Sequence, residues 1–554
     1  MVRRWGAGLL LVALGVALLP AAALGQDRSQ GALGIVGGGL ARTYEPWSLL
    51  VPLADLPRGF PSAQVQLPGL LEESEPRVGL FWNAANPGAL PFEVQEVRSA
   101  FAASRENVSG DYHRPFDAGS ESHTRAVAVG WRPLGSRGAG VASAVLNDAS
   151  YADGVYSDVV RPYASSPYLV ADTSSADLDQ LSARLEAAGG WQLGPYGLGI
   201  GVGFQGQETR SVASPVPRLN HSAGPGVSGG VARAFSSGNV RLGVSGRWQS
   251  LNERTRVYTV AAPTRIYQID GYAEAPPQDV SSLYERRLEL EAWTYGGGIA
   301  GTARGADWAL WGHRAGSKER WSNERIRHPR TDAWQAWSTT VGSAASGRVF
   351  GTTLVTATVR WTELDGQAEP APSPDADDAL FEDPAVFRAD EEALDAALEI
   401  RSPLGDGRWV IAGVLTLKQE WRDREDSRVE AGSSLDMRAV GGSLEILRAL
   451  TRGLAVSASG ALLAYDPIGA IPNPAAMGPE YRRWAGPEMA ILGTPTTTRH
   501  FSLGARWDPG AGRAFWLRLE STSVGPGDLE TVLTLLPEGT RSTWRLSGGV
   551  TLRD

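Results

Sequence analysis

The sequence contains no cysteine. Its absence excludes a disulfide framework, a zinc–thiolate site and a cysteine nucleophile, leaving His, carboxylate or Ser chemistry. Lysine is scarce as well: Lys318 and Lys418 are the two present, and the formal net charge is -9. A nucleic-acid binder of this size is normally basic, so no nucleic-acid partner is expected. The six histidines, His113, His123, His221, His313, His328 and His500, show no HExxH or His-x-His spacing. No metal, cofactor or catalytic residue is assigned to them. Long apolar runs are missing too. Beyond residue 26 no stretch approaches the roughly 18 to 20 apolar residues that a transmembrane helix needs.

Glycine, proline and tryptophan are abundant, at 67, 35 and 19 of 554 residues. Such a length fits about three or four ordinary domains, with a single large β-barrel as the main exception. Arg3 and Arg4 precede an apolar stretch over residues 5–19, and small residues then lead to Ala23-Leu24-Gly25. That order predicts a cleaved secretory signal over residues 1–25, with the mature chain starting at Gln26. An exported chain of this kind is periplasmic, extracellular, or a barrel in an outer membrane.

Alternation decides among these. Over residues 239–249, Val240, Leu242, Val244, Gly246 and Trp248 share one face, while Asn239, Arg241, Ser245, Arg247 and Gln249 share the other. The period is two, that of a strand. Trp409, Ile411, Leu415, Leu417 and Trp421 likewise oppose Arg408, Thr416, Lys418, Glu420, Arg422 and Arg424, and Trp544, Leu546, Val550 and Leu552 oppose Thr543, Arg545, Ser547, Thr551 and Arg553. Such runs far exceed the five or six residues usual in soluble strands. Trp409 and Trp421 are separated by roughly 40 Å of strand, or roughly 28 Å along the membrane normal after tilting, close to the apolar band between the aromatic girdles of a membrane barrel.

Short Gly-, Pro- or Ser-rich links occur near 133–138, 193–196, 236–239, 304–307, 345–347, 403–407, 451–453 and 508–512. They alternate with mostly longer polar segments at 109–121, 150–176, 214–223, 260–280, 326–331, 365–387, 426–432, 467–496 and 525–540. Eight turns and nine loops predict an all-β, transmembrane antiparallel β-barrel of about 16–18 strands, with both chain ends on the side of the short turns. The first strand is expected near 95–108 and the last near 541–553. Residues 26–91 hold eight prolines and no alternation. They are expected to form an irregular segment, periplasmic or lining and plugging the lumen, with the barrel itself over residues 92–554. Gly197, Gly199, Gly201 and Gly203 all face the lumen in this reading. Such a row either admits another backbone closely or eases barrel curvature.

Two motifs are set aside. Gly226-Val227-Ser228-Gly229-Gly230 has the GxSxG form of a nucleophile elbow but lies in a β-run rather than a strand-to-helix turn. Gly201-Val202-Gly203-Phe204-Gln205-Gly206 fits GxGxxG without a following helix to receive a pyrophosphate. The acidic stretch 374–392, with Asp375, Asp377, Asp378, Glu382, Asp383, Asp390, Glu391 and Glu392, reads as a solvated outward loop in preference to a calcium site.

The charged strand residues are more informative. Each Arg facing lipid at the midplane would cost about 2–4 kcal/mol. Arg241, Arg247, Glu285, Arg287, Glu289, Glu291, Arg518 and Glu520 are therefore assigned to the lumen. Such mixed charge either lines a water-filled path or pairs across the bore and holds a plug.

Trp82-Asn83-Ala84-Ala85-Asn86-Pro87 before the first strand, Pro167-Tyr168-Leu169-Val170-Ala171-Asp172-Thr173 in the second long loop and Pro215-Val216-Pro217-Arg218-Leu219-Asn220 in the third occur in an informative order. On these segments the chain, over about residues 80–554, resembles a family of functionally uncharacterised outer-membrane β-barrels best known from Bacteroidetes. The resemblance implies a large barrel in the bacterial outer membrane, no catalytic residue, and a part in nutrient uptake beside other envelope proteins. One departure is the ending Val550-Thr551-Leu552-Arg553-Asp554, where such barrels usually carry a final aromatic. The expected function is passage or capture of a small hydrophilic solute without enzyme chemistry, with outer-membrane lipid, a small polar solute and an envelope protein as partners. A sealed barrel that binds or scaffolds through its outward loops is the alternative, and a barrel-borne hydrolase a third reading.

Overall fold

The computed structural model describes residues 78–111, 118–157, 168–211, 218–235, 239–258, 264–270, 273–274, 278–280, 283–323, 331–349, 352–369, 387–405, 408–426, 431–451, 453–467, 494–510, 512–526 and 539–553. Two short helices, α1 (Leu80–Ala84) and α2 (Leu90–Glu93), flank a 3-10 turn at Pro87–Ala89. The wall begins with β1 (Arg98–Ser109), β2 (Ser120–Leu134), β3 (Gly138–Ser157), β4 (Tyr168–Leu193), β5 (Tyr196–Ser211), β6 (Arg218–Phe235) and β7 (Val240–Tyr258). Three short strands, β8 (Thr264–Asp270), β9 (Ala273–Glu274) and β10 (Gln278–Val280), lie in the next connection. The wall resumes with β11 (Leu283–Ala303), β12 (Ala306–Asn323), β13 (Thr331–Val349), β14 (Thr353–Glu369), β15 (Phe387–Leu404) and β16 (Trp409–Asp426). It finishes with β17 (Ala431–Ala449), β18 (Leu454–Pro467), β19 (Thr496–Gly510), β20 (Arg513–Pro526) and β21 (Arg541–Arg553).

Successive wall strands pair antiparallel, and β1 pairs with β2 on one side and β21 on the other, from Arg98 opposite Arg553 to Ser109 opposite Ser542. The sheet thus closes as an 18-strand barrel. Closure gives every strand two partners, the condition for a sheet to cross hydrocarbon. The seam is reinforced inside. Arg545 on β21 is ion-paired with Glu106 on β1 and, at 3.3 Å, with Glu520 on β20, its direct neighbours in register.

The outer face in the middle of the wall is apolar. Ile200, Val202 and Phe204 on β5, Leu242 and Val244 on β7, and Leu415 and Leu417 on β16 all point outward and are exposed. Aromatic residues bound this band: Trp191, Tyr196, Trp409 and Trp507 near the short turns, and Trp248, Trp293, Trp337 and Trp544 toward the long loops. Trp293 and Trp337 meet edge to face at 5.4 Å. The Arg448 guanidinium lies 4.8 Å over the Trp409 ring, where charge re-enters at the border of the band.

Above Trp293 the polarity of the two faces inverts. On β11, Glu285, Arg287, Glu289 and Glu291 share the outward face with Tyr295 and Ile299, whereas Arg286, Leu288, Leu290 and Ala292 point inward and are buried. The register with β7 fixes this, since Ile299 faces outward Leu242 and Glu289 faces Asn252 on the same side. The lumen assignment of Glu285, Arg287, Glu289 and Glu291 is therefore corrected to the outer surface. A lipid penalty cannot turn these charges inward, because β11 runs on past Trp293 for about 33 Å of chain and leaves the bilayer. In that water-facing part Glu285 pairs with Arg254 and, at 3.4 Å, with Arg256. On β14 and β15, Glu363, Asp365, Asp390 and Glu392 face out while Leu364, Ala368, Phe387 and Ala389 are buried inside.

Three sequence expectations shift. Ala345 to Gly347 belong to β13, whose small residues pack closely on β12, with Ala345 opposite Trp308 and Gly347 opposite Ala306, and the turn comes after Val349. Residues 168–173 extend β4, and 168–172 pair with β8, Tyr168 opposite Asp270, so the second long loop ends earlier than its composition indicates. Of the acidic stretch 374–392, residues 374–386 lie outside the described residues, and 387–392 belong to β15 rather than to a loop.

Val244, 62% exposed in the apolar band, tests this assignment. Val244→Arg is expected to cost about 2–4 kcal/mol, while Glu289→Leu, above the aromatic belt, changes stability by no more than about 0.5 kcal/mol. Urea-induced unfolding in lipid vesicles measures both.

Candidate functional site: an insert seated in the lumen

Residues 78–94 fold back inside the barrel. α1 is too short to be stable alone, and it is held by its neighbours. The Glu93 carboxylate at the end of α2 accepts from the backbone N–H groups of Leu80 at 2.7 Å and Phe81 at 3.0 Å. Asn83 Oδ1 accepts from Gly79 N at 2.9 Å. Ala85 then takes a left-handed conformation, φ 46°, and Asn86 caps the 3-10 turn by accepting from Gly88 N at 2.9 Å.

The seat is built from glycine. The carbonyl of Gly88 occupies the space that a side chain at Gly197 would fill, and the backbone of Pro87 does the same at Gly199. Two glycines of the row on β5, Gly197 and Gly199, therefore admit a second backbone. Across the next two strands the Asn86 side chain lies where side chains at Gly230 and Gly243 would be. Its Nδ2 donates to Val231 O and Val244 O, both at 3.1 Å, and the residue is 2% exposed. Around this pin Leu80, Phe81, Leu90 and Val94 join Ala188, Ala232, Ala300 and Ala309 of the wall in one apolar core.

Two inward arginines finish the attachment. Arg247 Nη2 donates to Ala84 O at the C-terminus of α1, and Arg241 Nη1 donates to Phe92 O near the end of α2, each at 3.2 Å. Arg241 also lies 3.9 Å from Glu93. Of the eight assigned lumen residues, the structure places Arg241, Arg247, Arg518 and Glu520 on the inner face, and brings the first pair onto the insert. Sequence reasoning missed Asn86 and Glu93 as anchors. The Asn-Pro element carried a signal for Asn86, since Pro starts a turn and Asn caps it; Glu93 carried none.

The inner wall has a second, different sector. The insert leans on β3 to β7, β11 and β12. Opposite it, hydroxyls and charges face inward: Thr340 meets Thr362 at 3.1 Å, Ser459 meets Ser502 at 2.7 Å, and Arg360 pairs with Asp395 at 2.6 Å, Arg424 with Glu391 at 2.7 Å and Arg518 with Glu520 at 3.4 Å. Ser228 of the GxSxG match points inward from the uninterrupted β6. Among the described residues no group of three or more His, Asp or Glu side chains is arranged to hold a metal ion.

A side chain at Gly199 cannot coexist with the seated insert. Gly199→Leu is expected to expel residues 78–94, read as loss of amide hydrogen-exchange protection there with protection of β14 to β21 unchanged.

No curated protein matches the sequence. Among solved structures, the ferric preacinetobactin receptor BauA from Acinetobacter baumannii is similar with a TM-score of 0.39 and 11% identity, covering 83% of this chain and 80% of that one. The alcaligin outer-membrane receptor FauA from Bordetella pertussis gives 0.36 and 11%, over 82% and 76%, and the copper transporter OprC gives 0.38 and 10%, over 83% and 81%. The closed 18-strand wall with its apolar band stands by itself as the architecture of a bacterial outer-membrane barrel. A family model matches residues 89–552, and the chain belongs to that family, the family of unknown function DUF6850.

Proposed function

We propose that this barrel captures small hydrophilic solutes from outside and passes them along the polar sector of its bore, with residues 78–94 narrowing the end that faces the short turns. The division of the inner wall carries this reading. One sector grips the insert through backbone and apolar contacts, and the other, from β13 to β21, presents hydroxyls and ion pairs that water and polar solutes can exchange with. An 18-strand barrel is wide enough for an aqueous channel. The solutes named for the similar receptors and transporter, a siderophore or copper, belong to those proteins; here only small size and polarity are proposed, with outer-membrane lipid around the barrel and an envelope protein as a partner in uptake. No covalent step is assigned. A second reading, a sealed barrel that binds or scaffolds through its outward loops, draws on the same ion pairs, because Arg545 bridges Glu106 and Glu520 rather than facing water alone.

Planar-bilayer recordings separate the two. Deletion of residues 26–94 is expected to give a steady conductance well above that of the full chain, since it removes the Arg241 and Arg247 attachments with their cargo. A deletion protein that inserts and stays closed would overturn passage and favour the sealed barrel.

A further inference from the structure

The inversion of polarity on β11 brings Arg286, rather than Arg287, to the inside near the end that faces the long loops. It is 3% exposed, and among the described residues its Nη1 and Nη2 have no hydrogen-bond partner. Its guanidinium lies 3.9 Å over the ring of Trp321, an inward residue of β12 that is 6% exposed. The stacking satisfies the flat face of the guanidinium and leaves its donor edge bare. On the next strand, β13, Trp334 is fully buried and tilted against Phe387 at 6.0 Å. Among the described residues Trp321 Nε1 and Trp334 Nε1 also lack an acceptor.

Two carboxylates face inward on the neighbouring strands: Glu319 on β12, opposite Leu290 and two inward positions from Arg286, and Glu253 on β7. Glu253 on β7 lies opposite Leu288, one inward position from Arg286, yet its Oε1 accepts from Asn220 Nδ2 at 2.9 Å and from Thr255 Oγ1 at 3.5 Å. A buried guanidinium with two bare nitrogens is unfavourable unless an anion or water meets it. A bare guanidinium edge beside an indole N–H without an acceptor calls for an oxyanion, because a carboxylate or phosphate accepts from Arg in a two-pronged geometry and from indole N–H as well. We propose that Arg286, stacked on Trp321, forms an anion-binding site in the upper lumen that takes the carboxylate or phosphate group of a small solute. The proposal rests on the reading of the bore as a solute path and narrows the solute to an anion.

Isothermal titration calorimetry on the intact, detergent-solubilised chain tests it, with inorganic phosphate and acetate as probes and heat-modifiable gel migration reporting folding. The wild type is expected to bind at least one probe in a 1:1 ratio. Arg286→Met weakens that binding about tenfold or more, in line with loss of a charge-assisted hydrogen bond, while Arg287→Met on the outer face leaves it unchanged. Arg286→Gln, which keeps an N–H donor on a shorter, uncharged side chain, is the second variant should the first fail to fold, and is expected to weaken binding similarly. A wild type that binds neither probe, or an unchanged affinity in a folded Arg286 variant, overturns the site. The calorimetry does not depend on conduction: binding with a closed deletion barrel refutes the path and leaves the site, and conduction without binding refutes the site and leaves the path.

Discussion

Hydrocarbon offers a peptide group nothing to bond with, and that single deficiency shapes this molecule. Each wall strand must find partners on both edges, so the first strand has to meet the last. The join of β1 to β21 over twelve residue pairs is the outcome. Because the same wall separates lipid from an interior, every side chain in the band is sorted by parity, and the outward row Leu242, Val244 and Trp248 follows from where the backbone must be. The Arg545 link to Glu106 and Glu520 adds a polar clasp where closure has the longest sequence separation to overcome.

The parity rule holds only where lipid is. Above Trp293 the surroundings are water, and the wall behaves as an ordinary soluble sheet with charges out and Leu288, Leu290 and Leu364 in. This explains how much of the fold was legible. The strand number, the closing pair near 98–109 and 541–553, most turns and the facing of Arg241, Arg247, Arg518 and Glu520 could be read from alternation, because all depend on the membrane band. The facing of Glu285 to Glu291 could not, since alternation is identical on both sides of the water line and no residue type marks the crossing except the belt tryptophan itself. Arg286 was hidden by the same ambiguity. The seat was half legible: four alternate glycines announced that a backbone could come close, but nothing local indicated that Asn86 would bridge Gly230 and Gly243, a contact set by the curvature of the whole barrel.

The manner in which the insert is held bears on what the barrel can do. Asn86, Arg241 and Arg247 act on backbone carbonyls, Arg241 adds a longer ion pair to Glu93, and the remainder is apolar contact. Few directional bonds are needed to fix the position, so few need to be exchanged to alter it. The opposite sector is organised differently, with ion pairs within the wall that keep charges in place and do not reach toward the insert. Attachment and lining are thus assigned to separate groups of strands, and a change in one sector need not disturb the other.

The insert precedes its own socket in the chain. Residues 78–94 emerge before any wall strand exists, whereas the surfaces they touch are spread from β3 to β12 and include Gly298 and Trp311. During synthesis and export the segment must therefore travel unseated, with Phe81 and Leu90 uncovered, until the ninth of the 18 wall strands has been laid down. Its docking consequently follows the making of half the wall, and the glycines that receive it act as a checkpoint that only paired β5, β6 and β7 can present.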